Sequence, residues 1–230
     1  MGFLGQNFLK DKNVIKKIIN YCSLFNRNIM EIGGGHGVLS KEIILKFPKS
    51  FTIIEKDPFL VRELKKIIFL PYEVIHEDIL NYNIDCDLII SNLPYCITSP
   101  FFRKLCKSNW NEAIIMIQKE VYEKILLCNS ALSVLINAHM SVQLIQYVNA
   151  KSFFPVPKID SAVLYLKKNN YDGELWNLLR LTFNENNKLL KNIWPQDLLN
   201  YMNSENIDIK SMRPKDIHLD LWKKLGQRKI

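Results

Sequence analysis

The chain has 230 residues, 48% of them hydrophobic, with 8 glycines and 9 prolines, which is enough to bury a full core and a small appendage. Lys+Arg of 31 against Asp+Glu of 23 leaves 31 − 23 = +8, an excess that suits a polyanionic partner, although a lysine-rich proteome would produce it too. The 5 cysteines form no C-x-x-C pair and show no metal-ligand spacing, and no apolar run is long enough to span a bilayer, so neither a metal site nor a membrane segment is expected.

From the N-terminus, Asn13 to Tyr21 reads as a helix with Val14, Ile15, Ile18 and Ile19 on one face. A strand near 29–32 runs into Gly33-Gly34-Gly35-His36-Gly37, and Val38 to Leu45 has the apolar positions of a helix packed on a sheet. Strand, glycine-rich turn and helix in that order let a cofactor approach the backbone beside a helix N-terminus. Gly33, Gly35 and Gly37 are therefore candidate cofactor-binding residues, with His36 a filler rather than a base. The spacing argues against a dinucleotide, because a G-x-G-x-x-G fingerprint needs glycine where this chain has Val38.

Further strands are expected near 51–55, 72–76, 86–91 and 112–117, with helices between them, an alternation that predicts a parallel sheet with right-handed crossovers. The strand at 51–55 ends in Glu55, about where such a sheet puts the carboxylate that accepts both ribose hydroxyls. The next is followed by Asp78, a carboxylate able to accept from the amino group of a bound adenine. Either acid could instead be a solvated strand-end charge. Val142 to Val148 and Ser161 to Leu166 read as strands that finish the sheet, joined through a Phe153 to Lys158 loop. Lys167-Lys168-Asn169-Asn170 marks a boundary. Beyond Asp172 the pattern is helical, with Leu175, Leu178, Leu179 and Phe183 at helix spacing and Pro195 and Pro214 opening new helices. Two domains are expected, 1–168 and 169–230.

The most informative segment is Ser91-Asn92-Leu93-Pro94-Tyr95, which follows the buried-strand run Asp87 to Ile90. The exocyclic nitrogen of adenine is a poor nucleophile, since its lone pair is delocalised into the ring. The Asn92 side-chain oxygen and the Leu93 or Pro94 carbonyl can each accept one of its N–H groups, while Tyr95 stacks on the base. Pro94 fixes φ and offers no competing donor. Alone, the motif would pass for an ordinary proline turn. Here the glycine turn, Glu55, Asp78 and Asn92 fall at four successive strand ends, the edge at which open α/β sheets bind ligands.

With these pieces in place, the chain resembles the ribosomal RNA adenine N6-dimethyltransferase family. The resemblance is carried by Gly5-Gln6-Asn7-Phe8-Leu9, Glu31 to Gly37, Ile54-Glu55, Glu77-Asp78, Asn92 to Thr98, Gln118 to Val121 and Phe153 to Val163. It implies a Rossmann-like α/β methyltransferase sheet with a small helical C-terminal domain contacting RNA. It also implies S-adenosyl-L-methionine as cofactor, and two adjacent adenines near the 3′ end of small-subunit rRNA as target. By resemblance, Asn7 and Leu9 contribute to the cofactor pocket, Gly33 lies under the methionine part, Glu55 takes the ribose and Asp78 the adenine. Asn92 lies between cofactor and target, and Phe153 stacks on the flipped base opposite Tyr95, the alternative being a core anchor at the loop base. The methyl donor is already activated, so the residues act by positioning and no strong general base is required.

Some pieces depart from the family pattern. Only Met1 to Leu4 precede the opening, where a basic segment is usual; Asn129 to Ser133 replaces a Tyr-Gly-Arg-Leu-Ser stretch, and Asn186-Asn187-Lys188 replaces paired arginines before a lysine. These changes bear on RNA affinity more than on chemistry, and make a partly assembled small subunit the expected substrate. A monomer in the cytoplasm is expected, the opening at Gly5 leaving no room for a presequence. Two alternatives remain: a large-subunit rRNA methyltransferase of the antibiotic-resistance type, which tends to carry Ile at the place of Leu93, and a non-catalytic RNA-binding or transcription factor on the same fold.

Overall fold

The computed structural model describes residues 6–228, so Gly5 and the Met1 to Leu4 segment lie outside the described residues. In chain order the elements are β1 (Phe8–Leu9), α1 (Lys12–Ile19), β2 (Asn28–Ile32), α2 (Val38–Ile44), β3 (Ser50–Glu55), α3 (Pro58–Leu64), β4 (Glu73–His76), β5 (Asp85–Asn92), α4 (Thr98–Lys107) and β6 (Asn109–Gln118). They continue with α5 (Lys119–Leu127), α6 (Ala131–His139), β7 (Met140–Val148), β8 (Phe153–Phe154), β9 (Ser161–Lys168), α7 (Trp176–Phe183), α8 (Gln196–Ser204) and α9 (Leu219–Gly226). No helix among the described residues is long and apolar enough to cross a membrane.

The main sheet has the order β4-β3-β2-β5-β6-β9-β7. β4, β3, β2, β5 and β6 run parallel, and β9 returns antiparallel to β6. The middle strands are covered on both faces, so their sequences are continuous apolar runs rather than alternating ones, as in Leu88 to Ile90 and Ala113 to Ile117, with the buried Glu31 the exception in β2. α1 starts where Asp11 caps the backbone N–H groups of Asn13 at 2.9 Å and Val14 at 3.4 Å, and it buries Val14, Ile15, Ile18 and Ile19. Parallel strands place every strand C-terminus on one edge, with the order reversing between β2 and β5.

At the other edge, Arg27 ties three strands together. Its guanidinium donates to Glu112 Oε2 at 2.6 Å and to the Asp87 carbonyl at 3.1 Å, and Tyr165 donates to Glu112 Oε1 at 2.6 Å. Burial alone would push the Glu112 carboxyl up. The hydrogen bonds from Tyr165 and Arg27 outweigh it and hold the group below the ordinary carboxylate range.

Two features differ from the sequence reading. The Phe153 to Lys158 segment begins with β8, which pairs antiparallel with β1, Phe8 opposite Phe154 and Leu9 opposite Phe153. Two-residue strands paired across most of the chain leave no periodic pattern to read. The second concerns the domains. One compact unit is the chain through Tyr122 together with Val142–Lys168, and the other is Glu123–Ser141 with everything after Lys168. The units do divide at Lys168/Asn169, but 123–141, expected in the first domain, stands with the helical unit. α6 explains it: Val134, Leu135, Ile136 and Ala138 are all buried, and a helix apolar on most sides needs other helices around it. Within that unit α6 packs against α7 and α9. Phe183 stacks on Trp222 with centroids 5.8 Å apart, and Trp194 Nε1 donates to Thr182 at 2.8 Å.

Arg27→Ala should destabilise the protein by about 1.5–3 kcal/mol, the worth of a charge-assisted hydrogen bond. A folded-state carboxyl held low contributes stability that is present above its unfolded pKa and lost as pH falls through the folded one. The gap between variant and parent in urea denaturation should therefore narrow in acid. An equal gap at pH 7 and pH 3 would contradict this account of the Arg27–Glu112 pair.

Candidate active site

The glycine turn after β2 is shaped by backbone sterics. Gly33 and Gly35 have φ of +73° and +54°, a region costly for residues with a Cβ. A Cβ on Gly35 would also lie 3.2 Å from the Phe8 ring, so the turn is open only because side chains are absent. Glu55, at the end of β3, is 4% exposed. Its Oε2 accepts the Gly35 N–H at 3.1 Å and its Oε1 the Asp57 N–H at 2.9 Å. Each oxygen keeps a lone pair for a ligand hydroxyl, and the carboxylate cannot rotate away. Asp78 follows β4. Its Oδ1 accepts the Leu80 N–H at 2.9 Å and its Oδ2 the Lys56 ammonium at 2.8 Å. The Lys56 hydrogen bond holds the Asp78 carboxyl below its usual range. Gly33, Glu55 and Asp78 line one cavity of about 100 Å³ together with Ile79 and Ile97.

At the end of β5, Leu93 is 1% exposed and its N–H donates to the Met116 carbonyl at 3.1 Å, so the residue offers backbone rather than side chain. Asn92 donates through Nδ2 to the Asn7 carbonyl at 2.9 Å. That contact leaves the Asn92 side-chain oxygen as the group available to accept from a substrate amine. Tyr95 shares a 2.9 Å hydrogen bond with the hydroxyl of Ser161. Burial pushes the Tyr95 phenol up, so the ring is a neutral stacking surface. Asn92 and Tyr95 line a cavity with Gly33 and Glu55, and Asn7 and Tyr95 also line a larger one of about 530 Å³ with Gln118 and Pro155 to Ile159. Asn92 thus lines a cavity that shares Gly33 and Glu55 with the one at the glycine turn and Asn7 and Tyr95 with the larger one.

The structure brings Asn7, Gly33, Gly35, Glu55, Asp78, Asn92, Leu93, Pro94 and Tyr95 to these adjoining cavities, and Leu9 lines a smaller recess with Glu31 and Asn92. Two expected residues stand elsewhere. Gly37 caps α2 with φ +76°, where a Cβ would meet Ile67 at 2.5 Å, so it serves helix packing and does not line the cavities. Phe153 is 0% exposed and belongs to the core cluster with Leu9, Val14 and Ile18. This corrects its expected stacking role: alternation along β8 turns its ring inward and leaves Phe154 70% exposed. Phe153 is the core anchor at the loop base.

Sequence reasoning missed Gln6 and Phe8, which line the site, as well as Ser161 and Glu31. Ser161 had no signal, since its partner Tyr95 lies 66 residues away. Glu31 did have one, being the acid immediately before the glycine turn. It is 1% exposed, accepts from Ser40 Oγ at 2.5 Å, and is pushed up to about 8 by burial, with Glu55 adding to the rise and the Ser40 hydrogen bond opposing it.

The sheet, its glycine turn and its strand-end acids define a methyltransferase of the Rossmann-like class. The chain is similar over 96% of its length to 91% of a solved dimethyladenosine transferase from Plasmodium falciparum, with a TM-score of 0.71 and 27% identity. It shares its fold with the 23S rRNA methyltransferase ErmE, at a TM-score of 0.69 and 21% identity over 96% of this chain and 98% of that one. Among curated proteins it is 40% identical to ribosomal RNA small subunit methyltransferase A of Mycoplasmopsis synoviae, over 74% of this chain and 71% of that one. It is 34% identical to the protein of the same name from Mycoplasma mobile, over 96% and 94%. The chain belongs to the ribosomal RNA adenine dimethylase family, whose model matches residues 2–223.

Glu31 makes the site's stability depend on pH. A carboxyl raised from 4.5 to about 8 keeps its proton in the folded state over a range where the unfolded chain has lost it, so its contribution to stability falls as pH rises through that window. Glu31→Gln removes the titration. Urea midpoints should shift in the variant's favour between pH 5 and pH 8.5, and a difference independent of pH would show that Glu31 is ionised throughout.

Proposed function

We propose that this chain transfers methyl groups from S-adenosylmethionine to N6 of two adjacent adenines near the 3′ end of small-subunit rRNA. The observation that carries the reading is the orientation of Asn92. With Nδ2 engaged by the Asn7 carbonyl at 2.9 Å, its oxygen is the acceptor presented where the cavities meet. The names of the curated relatives, small subunit methyltransferase A, support the small subunit over the large one.

The residues fit the cofactor. Gly33 and Gly35 leave room for it to lie against the backbone, Glu55 is fixed to accept ribose hydroxyls, and Asp78 offers a carboxylate to an adenine amine. When bound, S-adenosylmethionine supplies a methyl group already activated on a sulfonium. The chain's own work is positioning. Asn92 Oδ1 and the Leu93 or Pro94 carbonyl accept the two N–H groups of the target amine, which draws its lone pair out of the ring. Tyr95, braced by Ser161, stacks on the base once it has left its helix. A methylated ammonium sheds its proton readily, so no base need stand beside it. The helical unit contributes RNA contacts, and the protein works as a cytoplasmic monomer on a partly assembled small subunit, whose surface adds preorganised shape to modest phosphate contacts.

Tritiated cofactor incubated with naked small-subunit rRNA, assembling small subunits and large-subunit rRNA tests the assignment. Label is expected mainly in the assembling small subunits, digesting to dimethyladenosine from two neighbouring positions. Label chiefly in large-subunit rRNA would move the target to the other subunit, and label in none would leave a non-catalytic RNA-binding protein.

A further inference from the structure

The large cavity beside Tyr95 contains a polar side chain to which the reading above gives no task. Gln118 is the last residue of β6 and lines the cavity of about 530 Å³ together with Tyr95. Its side chain is half-buried, and its amide makes no hydrogen bond among the described residues, which leaves its N–H groups to the cavity. Its placement is rigid. Gln118 pairs with Ser161 across the antiparallel β6–β9 ladder, which puts the two side chains on the same face. The Ser161 hydroxyl is the group that holds Tyr95, at 2.9 Å. The next residue is pinned as well, with the Lys119 N–H donating to the Asp160 carbonyl at 3.0 Å. On its other side β6 pairs with β5, with Asn92 opposite Met116, so Gln118 stands two residues beyond the Asn92 register on the neighbouring strand. The strand end that offers this amide therefore adjoins both the acceptors of the target amine and the stacking ring.

We infer that Gln118 reads the target base, donating its amide N–H to the ring nitrogen N1 that adjoins the amine on the Watson–Crick edge. This rests on the reading that the cavity takes the target adenine. A base held by its amine at Asn92 and by its face on Tyr95 is still free to rotate in the plane of the ring. A donor facing N1, which is an acceptor in adenine and carries a proton in guanine, fixes that rotation and favours adenine. Asn92 acts on the amine, whereas Gln118 selects the base that carries it.

The test pairs a protein change with a single-atom change in the RNA. Single-turnover methylation is measured for the parent and Gln118→Met, which keeps length and removes the donor, on small-subunit substrates with adenosine, 1-deazaadenosine or 7-deazaadenosine at the target. The parent should be about tenfold slower on 1-deazaadenosine than on adenosine, the worth of one hydrogen bond. Gln118→Met should lose about the same factor on adenosine and show no further loss on 1-deazaadenosine, while the 7-deaza substitution should affect both proteins equally. Comparing ratios cancels the effect of the ring change on the amine itself. Cofactor affinity by calorimetry, equal in the two proteins, checks that the variant is folded. If Gln118→Met retains the parent's preference for adenosine over 1-deazaadenosine, or if the preference collapses with the 7-deaza substrate instead, Gln118 does not read N1. A parent protein inactive on every adenosine substrate would overturn the proposed function and not this contact alone.

Discussion

The hydrogen bond from the Asn92 amide to the Asn7 carbonyl, 2.9 Å long, decides what the site can do. A carboxamide has a donor end and an acceptor end. A target amine needs acceptors. By engaging one N–H of the donor end, the segment before β1 fixes how the carboxamide lies and leaves its oxygen free of protein partners among the described residues. That segment is in turn fastened by the β1–β8 pairing, whose inward-facing residues Leu9 and Phe153 sit in the main core cluster. The strand-end acceptor is thus oriented by a backbone carbonyl that core packing holds in place, so the arrangement exists before a substrate arrives.

The rest of the site follows from the parallel sheet. With β4, β3, β2 and β5 running the same way, Asp78, Glu55, the glycine turn and Asn92 are delivered to one edge in spatial order. Neighbouring strands are about 4.8 Å apart, so four strand ends cover about the length of a nucleoside with its substituent. Buried electrostatics adjusts each group differently. Glu55 accepts two backbone N–H groups, the Lys56 hydrogen bond holds the Asp78 carboxyl below its usual range, and burial, opposed by the Ser40 hydroxyl and aided by Glu55, pushes the Glu31 carboxyl up.

What could be read from the sequence was whatever local pattern determines. The strands at 29–32, 51–55 and 86–91 announce themselves as apolar runs, and the strand-end residues Glu55, Asp78 and Asn92 come with them because a parallel sheet fixes where strand ends go. Contacts across long stretches of chain were illegible. Nothing local marks Phe8 and Leu9 as a strand, since their partners lie at Phe154 and Phe153. Nothing local marks Ser161 as the brace of Tyr95 or 123–141 as part of the helical unit. Phe153 and Phe154 show the limit most clearly. Two adjacent aromatics in a loop read alike, and only strand pairing determines that the first is buried and the second exposed.

The claim that Asn92 works because it is oriented is tested most directly by Asn92→Asp. The carboxylate is a stronger acceptor than the amide, but it has no N–H for the Asn7 carbonyl and would face that oxygen with a charge. Single-turnover methylation at saturating cofactor should fall on the order of 10²-fold, as it does when a preorganised transition-state hydrogen bond is removed, with cofactor affinity little changed. A rate close to that of the parent would contradict the account, since it would mean that any acceptor at this strand end suffices and that the bond to Asn7 orients nothing.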